Sequence, residues 1–261
     1  MEQTVKTAEE IRAARIDSPK LRERDLATNL GISEAQVVAA HVGHGVTPIH
    51  LDLENLMPDL ESLGTVMGLT RNDSCVIEKD GLYANYTHGV HASMFVNEAI
   101  DLRIFPSRWV HGYMVEKDTD RGTMRSIQAF DAAGDAVHKV FLRDASNLDA
   151  WADIKEKYTK ADVGDTLTPD PRKPLEAPKS NPDKLDVLLK EWSRLTDTHQ
   201  FMRLTSKMKM NRLGAYRIAG APWVRPLAPD AVDKALHLVR DARINVMVFV
   251  GNAGCIEIHS G

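Results

Sequence analysis

Cysteine is scarce in this sequence. The 261 residues include only two cysteines, Cys75 and Cys255, and two thiols cannot form the framework of several disulfides that stabilises small secreted domains. Because free thiols persist in reducing surroundings, the cytoplasm is the compartment that we expect.

The chain also lacks long hydrophobic runs and a strong excess of charge of either sign. No apolar run approaches the roughly 20 residues that cross a bilayer, and the first residues lack the apolar segment of a secretory signal. The formal net charge is −4, whereas nucleic-acid-binding domains carry a basic surface. We therefore expect a protein that is not embedded in a membrane and does not bind nucleic acid. The pattern around Gly31–Ile32 also occurs in helix-turn-helix units, so a DNA-linked regulator stays an alternative that the charge disfavours.

The pattern of the first half predicts helices followed by an antiparallel sheet. Thr7 suits the N-cap of a helix over residues 7–14, and two short helices follow, separated at Gly31 and capped by Ser33. Short turns join eight strand-sized segments, which predicts an antiparallel meander. These segments are Thr65–Thr70, Cys75–Glu78, Leu82–Tyr86, Ser93–Val96, Asp101–Phe105, Val110–Glu116, Arg125–Phe130 and Ala136–Leu142. Residues 148–158 return to helical periodicity.

A proline-rich segment divides the chain. Residues 161–182 are polar and contain Pro169, Pro171, Pro174, Pro178 and Pro182, so we expect an extended linker without a core of its own. Beyond it, apolar residues recur at three- and four-residue spacing from Leu185 to Met202, which predicts one long amphipathic helix. Further helices are expected near 210–219 and 231–240, and strands near 245–250 and 255–259.

The two halves resemble each other. A shift of 180 residues places Val66–Met67 on Val246–Met247, Asn72 on Asn252, Cys75 on Cys255 and Gly81 on Gly261. Such self-similarity indicates a duplicated unit. We therefore predict an α+β fold in which a unit of helices plus a large antiparallel meander sheet is duplicated, with the second unit incomplete. The first repeat would span 1–160, the linker 161–182 and the partial second repeat 183–261, whereas a complete protein of this design would have roughly 340 residues.

Histidines are the candidate ligands. His41 with His44 and His88 with His91 are spaced three residues apart, but neither pair has an evident third ligand for a metal. His199 differs because it falls on the apolar stripe of its predicted helix. A neutral imidazole in an apolar wall suits an axial ligand of haem iron, although a core histidine bonded to a carbonyl fits the periodicity as well. Asp197 could orient such an imidazole.

Seven motifs in order resemble the HemS/ChuS/HmuS family, the haem-trafficking proteins or haemin-degrading factors of bacterial haem uptake. The motifs are Leu63–Met67, Leu69–Asn72, Ile100–Phe105, Ser126–Asp131, Ala136–Lys139, Asp197–Phe201 and Met247–Asn252. The resemblance implies that His199 is the axial ligand of haem iron and that Arg103 is a distal, catalytic arginine with Phe105 beside it. It also implies that Arg212 meets a haem propionate.

The resemblance further implies a cytoplasmic haem-binding protein of a bacterial iron-acquisition system. Such a protein receives haem from an ABC importer at the membrane and passes it on, for example to a haem oxygenase. Two alternatives stay open: a haem oxygenase-like enzyme that degrades haem, and an inactive truncated fragment. Family members continue through the rest of a second sheet, so we expect this sequence to be C-terminally truncated and its haem pocket less enclosed.

Overall fold

The computed structural model describes residues 6–261. The helices of this range are α1 (Ala8–Asp17), α2 (Glu23–Leu30), α3 (Glu34–Ala39), α4 (Leu53–Asp59), α5 (Leu148–Tyr158), α6 (Leu185–Trp192), α7 (Gln200–Lys207), α8 (Arg212–Ala219) and α9 (Ala231–Asp241). The strands are β1 (Val46–Ile49), β2 (Val66–Arg71), β3 (Val76–Gly81), β4 (Tyr86–Thr87), β5 (Ser93–Val96), β6 (Asp101–Ile104), β7 (His111–Thr119), β8 (Gly122–Phe130), β9 (Ala136–Leu142), β10 (Met247–Gly251) and β11 (Cys255–Ser260). No helix within residues 6–261 is long and apolar enough to cross a membrane.

The chain folds into two compact units. Unit 1 comprises the described residues up to Arg172 together with Asn245–Gly261, and unit 2 comprises Lys173–Ile244. The closing hairpin β10–β11 therefore belongs to the same unit as the first repeat, although its sequence belongs to the second. The first part of the proline-rich segment also joins unit 1, because Asp165 pairs with Arg12 and Leu167 packs on buried apolar residues.

The first helices form where the sequence predicts them. Thr7 caps α1 by accepting a hydrogen bond from the Glu10 N–H, and the Glu10 carboxylate accepts one from the Thr7 N–H in return. Gly31 ends α2 in the left-handed conformation, with φ of 69°, which glycine adopts without a steric penalty. Ser33 then caps α3 through the Gln36 N–H. Thr7 and Ser33 thus bond N–H groups that the start of a helix leaves unpaired.

Unit 1 contains two antiparallel sheets. The first has the order β1-β7-β8-β9-β2-β3, and the second has the order β10-β11-β6-β5-β4. The predicted α+β class is confirmed. Of the eight strands predicted to form an antiparallel meander, β7, β8 and β9 pair consecutively, whereas the others are divided between the two sheets. The strand predicted over Leu82–Tyr86 is wrong, since only Tyr86–Thr87 pairs there; Asn85, with a φ of 63°, interrupts extended backbone just before it. Strand β1 pairs with β7 and was not predicted.

The internal repeat is visible as reciprocal contacts between two turns. The Asn72 Oδ1 accepts hydrogen bonds from the N–H groups of Ser74 and Cys75, at 2.8 and 2.9 Å. The Asn252 Oδ1 accepts the equivalent bonds from Gly254 and Cys255, at 2.9 and 3.0 Å. Each asparagine also donates to the other turn, because Asn72 reaches the carbonyl of Gly251 and Asn252 reaches that of Arg71, both at 3.1 Å. The two copies of the hairpin thus contact each other through equivalent atoms.

A polar network lies in the core of unit 1. His138 is 3% exposed, and both of its ring nitrogens have partners. Nδ1 lies 2.8 Å from the Thr70 Oγ1 and Nε2 lies 2.6 Å from the Tyr83 hydroxyl. This histidine is therefore a fully hydrogen-bonded residue of the core.

Unit 2 has a small core between α6, α7 and α8. Its buried apolar residues are Leu188, Phe201, Leu204, Met208, Met210 and Ala215. The single long helix predicted from Leu185 to Met202 is wrong, because α6 ends at Trp192 and α7 begins at Gln200. Polar side chains bond the backbone in between: Ser193 donates to the Lys190 carbonyl, and Gln200 accepts from the Thr196 N–H. Such local bonds compete with helical hydrogen bonds.

Candidate functional site

Aromatic rings line a cavity of about 680 Å³ in unit 2. The rings belong to Trp192, Phe201, Tyr216 and Trp223, and we call this space the aromatic cavity. The ring centroids of Trp192 and Phe201 lie 4.5 Å apart, and Trp192 stacks with Tyr216 at 5.9 Å. Its volume lies within the roughly 300–1,000 Å³ typical of small-molecule sites. The aromatic cavity therefore offers flat apolar faces to a large planar ligand.

His199 stands next to two residues that line the aromatic cavity, Asp197 and Thr198. Its Nδ1 lies 2.7 Å from the Asp197 Oδ1, and its backbone N–H donates to the same oxygen at 2.7 Å. These two hydrogen bonds lower the pKa of Asp197, so its carboxylate is ionised and accepts the proton on Nδ1. In the neutral tautomer that keeps its proton on Nδ1, Nε2 carries the free lone pair that a metal requires.

The surroundings of His199 differ from those that the sequence predicts. It lies at the N-cap of α7 rather than on an apolar stripe, and its side chain is 93% exposed. The cause is the break between α6 and α7, which moves the residue out of the helical register. An exposed imidazole held by a carboxylate is accessible to a ligand, whereas a core histidine is not.

Arg212 lies in the first turn of α8 and lines the aromatic cavity. Asn211 caps that helix by accepting from the Gly214 N–H at 2.8 Å. The guanidinium of Arg212 has no hydrogen bond or ion pair with a residue in the range 6–261. A free guanidinium at a helix N-terminus attracts carboxylates, because both the cation and the helix dipole favour negative charge.

Arg103 and Phe105 belong to unit 1. Arg103 lies on β6, where its backbone pairs with Met94 on one side and Ile256 on the other. Its guanidinium bonds the Asp101 carboxylate and the Phe95 carbonyl, and its side chain is 32% exposed. Phe105 follows the strand, is half-buried and donates its N–H to the Gly254 carbonyl at 2.9 Å. The pairing of these two residues with His199 stays a prediction.

The spaced histidine pairs do not form metal centres in the described part of the chain. No group of three or more His, Cys, Asp or Glu residues there could hold a metal ion. His41 is instead bound through Nδ1 to the Val37 carbonyl at 2.9 Å, and His88 lies near the Tyr86 hydroxyl.

Sequence reasoning missed most of the aromatic wall. Trp192 lies within the amphipathic helix that the sequence predicts from Leu185 to Met202, whereas the sequence pattern assigns no role to Tyr216 and Trp223. A usable signal existed, since two of the four tryptophans of the chain lie within the 72 residues of unit 2. Three of the wall residues come from three different helices, so their meeting depends on tertiary packing that helical periodicity does not report.

Comparison with known proteins gives a consistent result. A family model described as the haemin-degrading HemS.ChuX domain matches residues 31–158 and 209–261. The hemin transport protein HmuS of Yersinia pestis is 33% identical over 249 residues, which cover 95% of this chain and 72% of HmuS. Holo-PhuS, a heme-binding protein from Pseudomonas aeruginosa, has a TM-score of 0.89 at 38% identity, covering 98% of this chain and 76% of PhuS.

The heme degrading enzyme ChuS of Escherichia coli O157:H7 is also similar, with a TM-score of 0.79 at 29% identity, covering 95% of this chain and 72% of ChuS. The family model covers more than half of the chain, and the HmuS match extends over nearly all of it. The resemblance carried by the seven motifs is confirmed, and this chain belongs to the HemS family of haemin-degrading domains.

Proposed function

We propose that this chain binds haem at the aromatic cavity, with His199 as the axial ligand of the iron. The observation that carries the proposal is the Asp197–His199 pair, because a carboxylate held at Nδ1 leaves Nε2 as the nitrogen available to a metal. The names of the relatives, a hemin transport protein and a heme-binding protein, support the choice of haem.

The aromatic cavity fits a flat macrocycle. Trp192, Phe201 and Tyr216 present ring faces within 4.5–5.9 Å of one another, and aromatic faces pack favourably against planar π-systems. These residues would orient the ring plane and exclude water from one side of it. The arrangement therefore supplies an imidazole, an apolar wall and, in Arg212, a cation for one ligand.

Arg212 would bind a haem propionate. Its guanidinium is free of other described partners, and a bidentate hydrogen bond between guanidinium and carboxylate fixes orientation as well as adding affinity. This contact would define which edge of the macrocycle faces α8. It would also neutralise the negative charge of the propionate, which aromatic side chains cannot do.

The family resemblance implies that Arg103 and Phe105, both in unit 1, supply a distal hydrogen-bond donor and an apolar contact for haem. For that role Arg103 would keep part of its guanidinium available beyond its bond to Asp101, and it would donate a hydrogen bond to a distal water. Phe105 would add an apolar contact beside it. The presence of Asp101 limits how far Arg103 can extend, which makes it a positioned donor rather than a mobile one.

In the cell we propose a cytoplasmic carrier. It would accept haem at the inner side of an ABC importer and release it to an enzyme such as a haem oxygenase. An exposed ligand such as His199, 93% accessible, suits transfer between proteins because a partner can approach the iron directly.

Degradation of haem is the second candidate, and the similarity to the heme degrading enzyme ChuS favours it. Bound haem supplies the iron at which oxygen is activated when electrons are available. This chain's own contribution would be to hold the ring with the aromatic wall and to supply, in Arg103, the hydrogen-bond donor that the family resemblance implies. Incubation of the complex with ascorbate and catalase separates the candidates: formation of verdoheme or biliverdin supports degradation, and an unchanged haem spectrum leaves carriage alone.

Titration with haemin tests the axial ligand. Wild-type protein is expected to give a saturable shift of the Soret band, and His199→Ala is expected to lose the low-spin component and to bind haemin at least tenfold more weakly. His237→Ala is the matched control, because His237 is also an exposed histidine of unit 2 beside an aspartate, Asp233. An unchanged spectrum for His199→Ala would show that another residue binds the iron.

A further inference from the structure

A second cavity, of about 320 Å³, lies in unit 1 on the face of the six-stranded sheet that α1, α2 and α3 cover. We call it the first-unit cavity. Its walls combine valines with polar and charged side chains, which are those of Arg15, Glu23, His41, His44, Glu116, Lys117, Asp118 and Gln128. Its volume is at the lower end of the roughly 300–1,000 Å³ of small-molecule sites. It is formed by residues that play no part in the proposed haem site.

Gln128 leaves an acceptor unused in this cavity's wall. The side chain is 3% exposed, and its amide nitrogen donates to the Ser126 Oγ at 3.0 Å. Its Oε1 is buried and has no hydrogen-bond partner among residues 6–261. Leaving a buried carbonyl oxygen unpaired costs about 1–3 kcal/mol, so a donor arriving at this position would be bound favourably.

His41 provides a second acceptor. Its Nδ1 lies 2.9 Å from the Val37 carbonyl, and since a carbonyl only accepts, the proton is on Nδ1. Burial lowers the pKa of His41, and the nearby guanidinium groups of Arg15 and Arg12 lower it further. The ring is therefore neutral at pH 7, and Nε2 presents a lone pair without a described partner.

Glu23 provides a third acceptor, and it is charged. Burial alone would raise the pKa of Glu23, but the ammonium groups of Lys139 and Lys117 outweigh it, so the pKa is lowered. Lys117 and Arg15 both bond Oε1, at 3.0 and 3.5 Å. No described residue bonds Oε2.

The cations of this cavity are already engaged. Lys117 is paired with Glu23, and the Arg15 guanidinium donates to the carbonyls of Ser18 and Leu21 as well as to Glu23. An anion would thus meet an ionised carboxylate and cations that have other partners. A ligand that donates hydrogen bonds would instead meet unused acceptor atoms, among them those of Glu23, His41 and Gln128.

We infer that the first-unit cavity binds a small primary amine in its ammonium form, which donates to Glu23, His41 and Gln128. An ammonium group has three N–H donors and no acceptor, which matches the three acceptors in number. The valines of the wall, Val37, Val38, Val46 and Val115, would contact a short alkyl chain. The charge-assisted bond to Glu23 would provide most of the affinity.

Calorimetric titration of the 261-residue protein with butylammonium, butyrate and 1-butanol tests the inference. Saturable binding of butylammonium alone is the expected result, and in NMR spectra it should shift the His41 ring and Gln128 amide signals. Equal binding of butyrate or 1-butanol, or no saturable binding of any probe, would overturn the inference. Shifts confined to the tryptophan signals of unit 2 would also overturn it, since they would place the cation on the aromatic cavity.

Two substitutions probe the acceptors separately. Glu23→Gln is expected to weaken butylammonium binding at least tenfold, and Gln128→Met should weaken it severalfold. Because Gln128→Met also removes the unpaired buried oxygen, its thermal stability without amine should equal or exceed that of wild type, so it remains informative should Glu23→Gln fail to fold. Glu78→Gln, at an exposed position of unit 1, is the matched control and should bind like wild type. His199→Ala should also bind the amine normally, whatever its effect on haemin.

Discussion

In the proposed haem site, Asp197 would determine which nitrogen of His199 faces the iron. One carboxylate oxygen accepts from both the ring Nδ1 and the backbone N–H of His199, so the charge of Asp197 lies next to the imidazole. We expect Asp197→Asn to keep the geometry but to remove this charge, which lowers electron donation to a bound iron. Haemin affinity should fall about 10-fold to 100-fold, and the reduction potential of bound haem should rise. Asp233→Asn, beside His237, should leave both quantities unchanged; equal potentials in Asp197→Asn and wild type would contradict the orienting role.

Glu257 and His138 are two buried titratable groups of unit 1, and the pH dependence of their contributions to stability has opposite signs. Glu257 is 1% exposed, and neither carboxyl oxygen has a hydrogen-bond partner among the described residues. Burial raises its pKa from 4.5 to about 7, so between these values the folded chain binds one more proton than the unfolded chain. Its contribution to stability is therefore full below pH 4.5 and is lost as the pH rises to about 7. Burial lowers the pKa of His138 from 6.5 to about 3, so its contribution is lost as the pH falls across that range.

Glu257→Gln isolates one of these two effects. The free energy of unfolding of the variant, minus that of wild type, should increase by about 3 kcal/mol between pH 4.5 and pH 7 and stay level above. Urea unfolding at half-unit pH steps measures this difference. Glu78→Gln, at an exposed position of β3, should show no such trend. A difference curve for Glu257→Gln that is flat with pH would show that Glu257 titrates normally in the folded protein.

At the scale of elements, the hairpins β2–β3 and β10–β11 are two copies of one unit, and each contains an asparagine at the equivalent position of its turn. The effects of substituting these two asparagines on stability can therefore be compared directly. Asn252 makes two donated bonds, to Arg71 and Val137 carbonyls at 3.1 and 2.7 Å, whereas Asn72 makes one, to the Gly251 carbonyl. Both asparagines accept two backbone bonds within their own turns. With about 1 kcal/mol for each hydrogen bond lost, Asn252→Ala should destabilise the protein by about 1 kcal/mol more than Asn72→Ala. If urea unfolding gave the same decrease in the free energy of unfolding for both variants, the bonds within each turn would stabilise the protein and the bonds between the turns would not.

The sequence predicted these elements unevenly, for physical reasons. Caps such as Thr7 and Ser33 depend on hydrogen bonds to residues three positions away, so the local sequence is enough to predict them. The contacts of Asn252 with Arg71 span 181 residues, and no local pattern reports them. The break between α6 and α7 is an intermediate case. The polar residues before His199 favoured an interruption of the helix, but the regular apolar spacing from Leu185 to Met202 favoured one continuous helix. As a result the sequence offered His199 as the axial candidate through a family motif, which stays a prediction, but it did not predict the exposed position of the side chain.

At the scale of the whole molecule, the two units have unequal cores. The main core of unit 1 contains 23 buried residues, whereas that of unit 2 contains six and α9 contributes none. Because buried apolar surface supplies most of the stability of a unit, unit 2 should open first. Limited trypsin digestion followed by mass spectrometry should therefore cut at lysines and arginines of 173–244 before those within β7, β8 and β9. Early cleavage inside β7–β9 would contradict this order.

Haemin should change that order of cleavage if it binds at the aromatic cavity. A ligand present at about 100 times its Kd stabilises the state that binds it by about 2.7 kcal/mol, and the gain applies to openings that disrupt the site. Cleavage near α7 and α8, for example after Arg203 or Lys207, should slow about 100-fold, whereas cleavage after Arg172 in the preceding segment should not. His199→Ala should show little of this protection, because its axial bond is lost. Equal protection in wild type and His199→Ala would mean that the aromatic wall and Arg212 hold haemin without help from the imidazole.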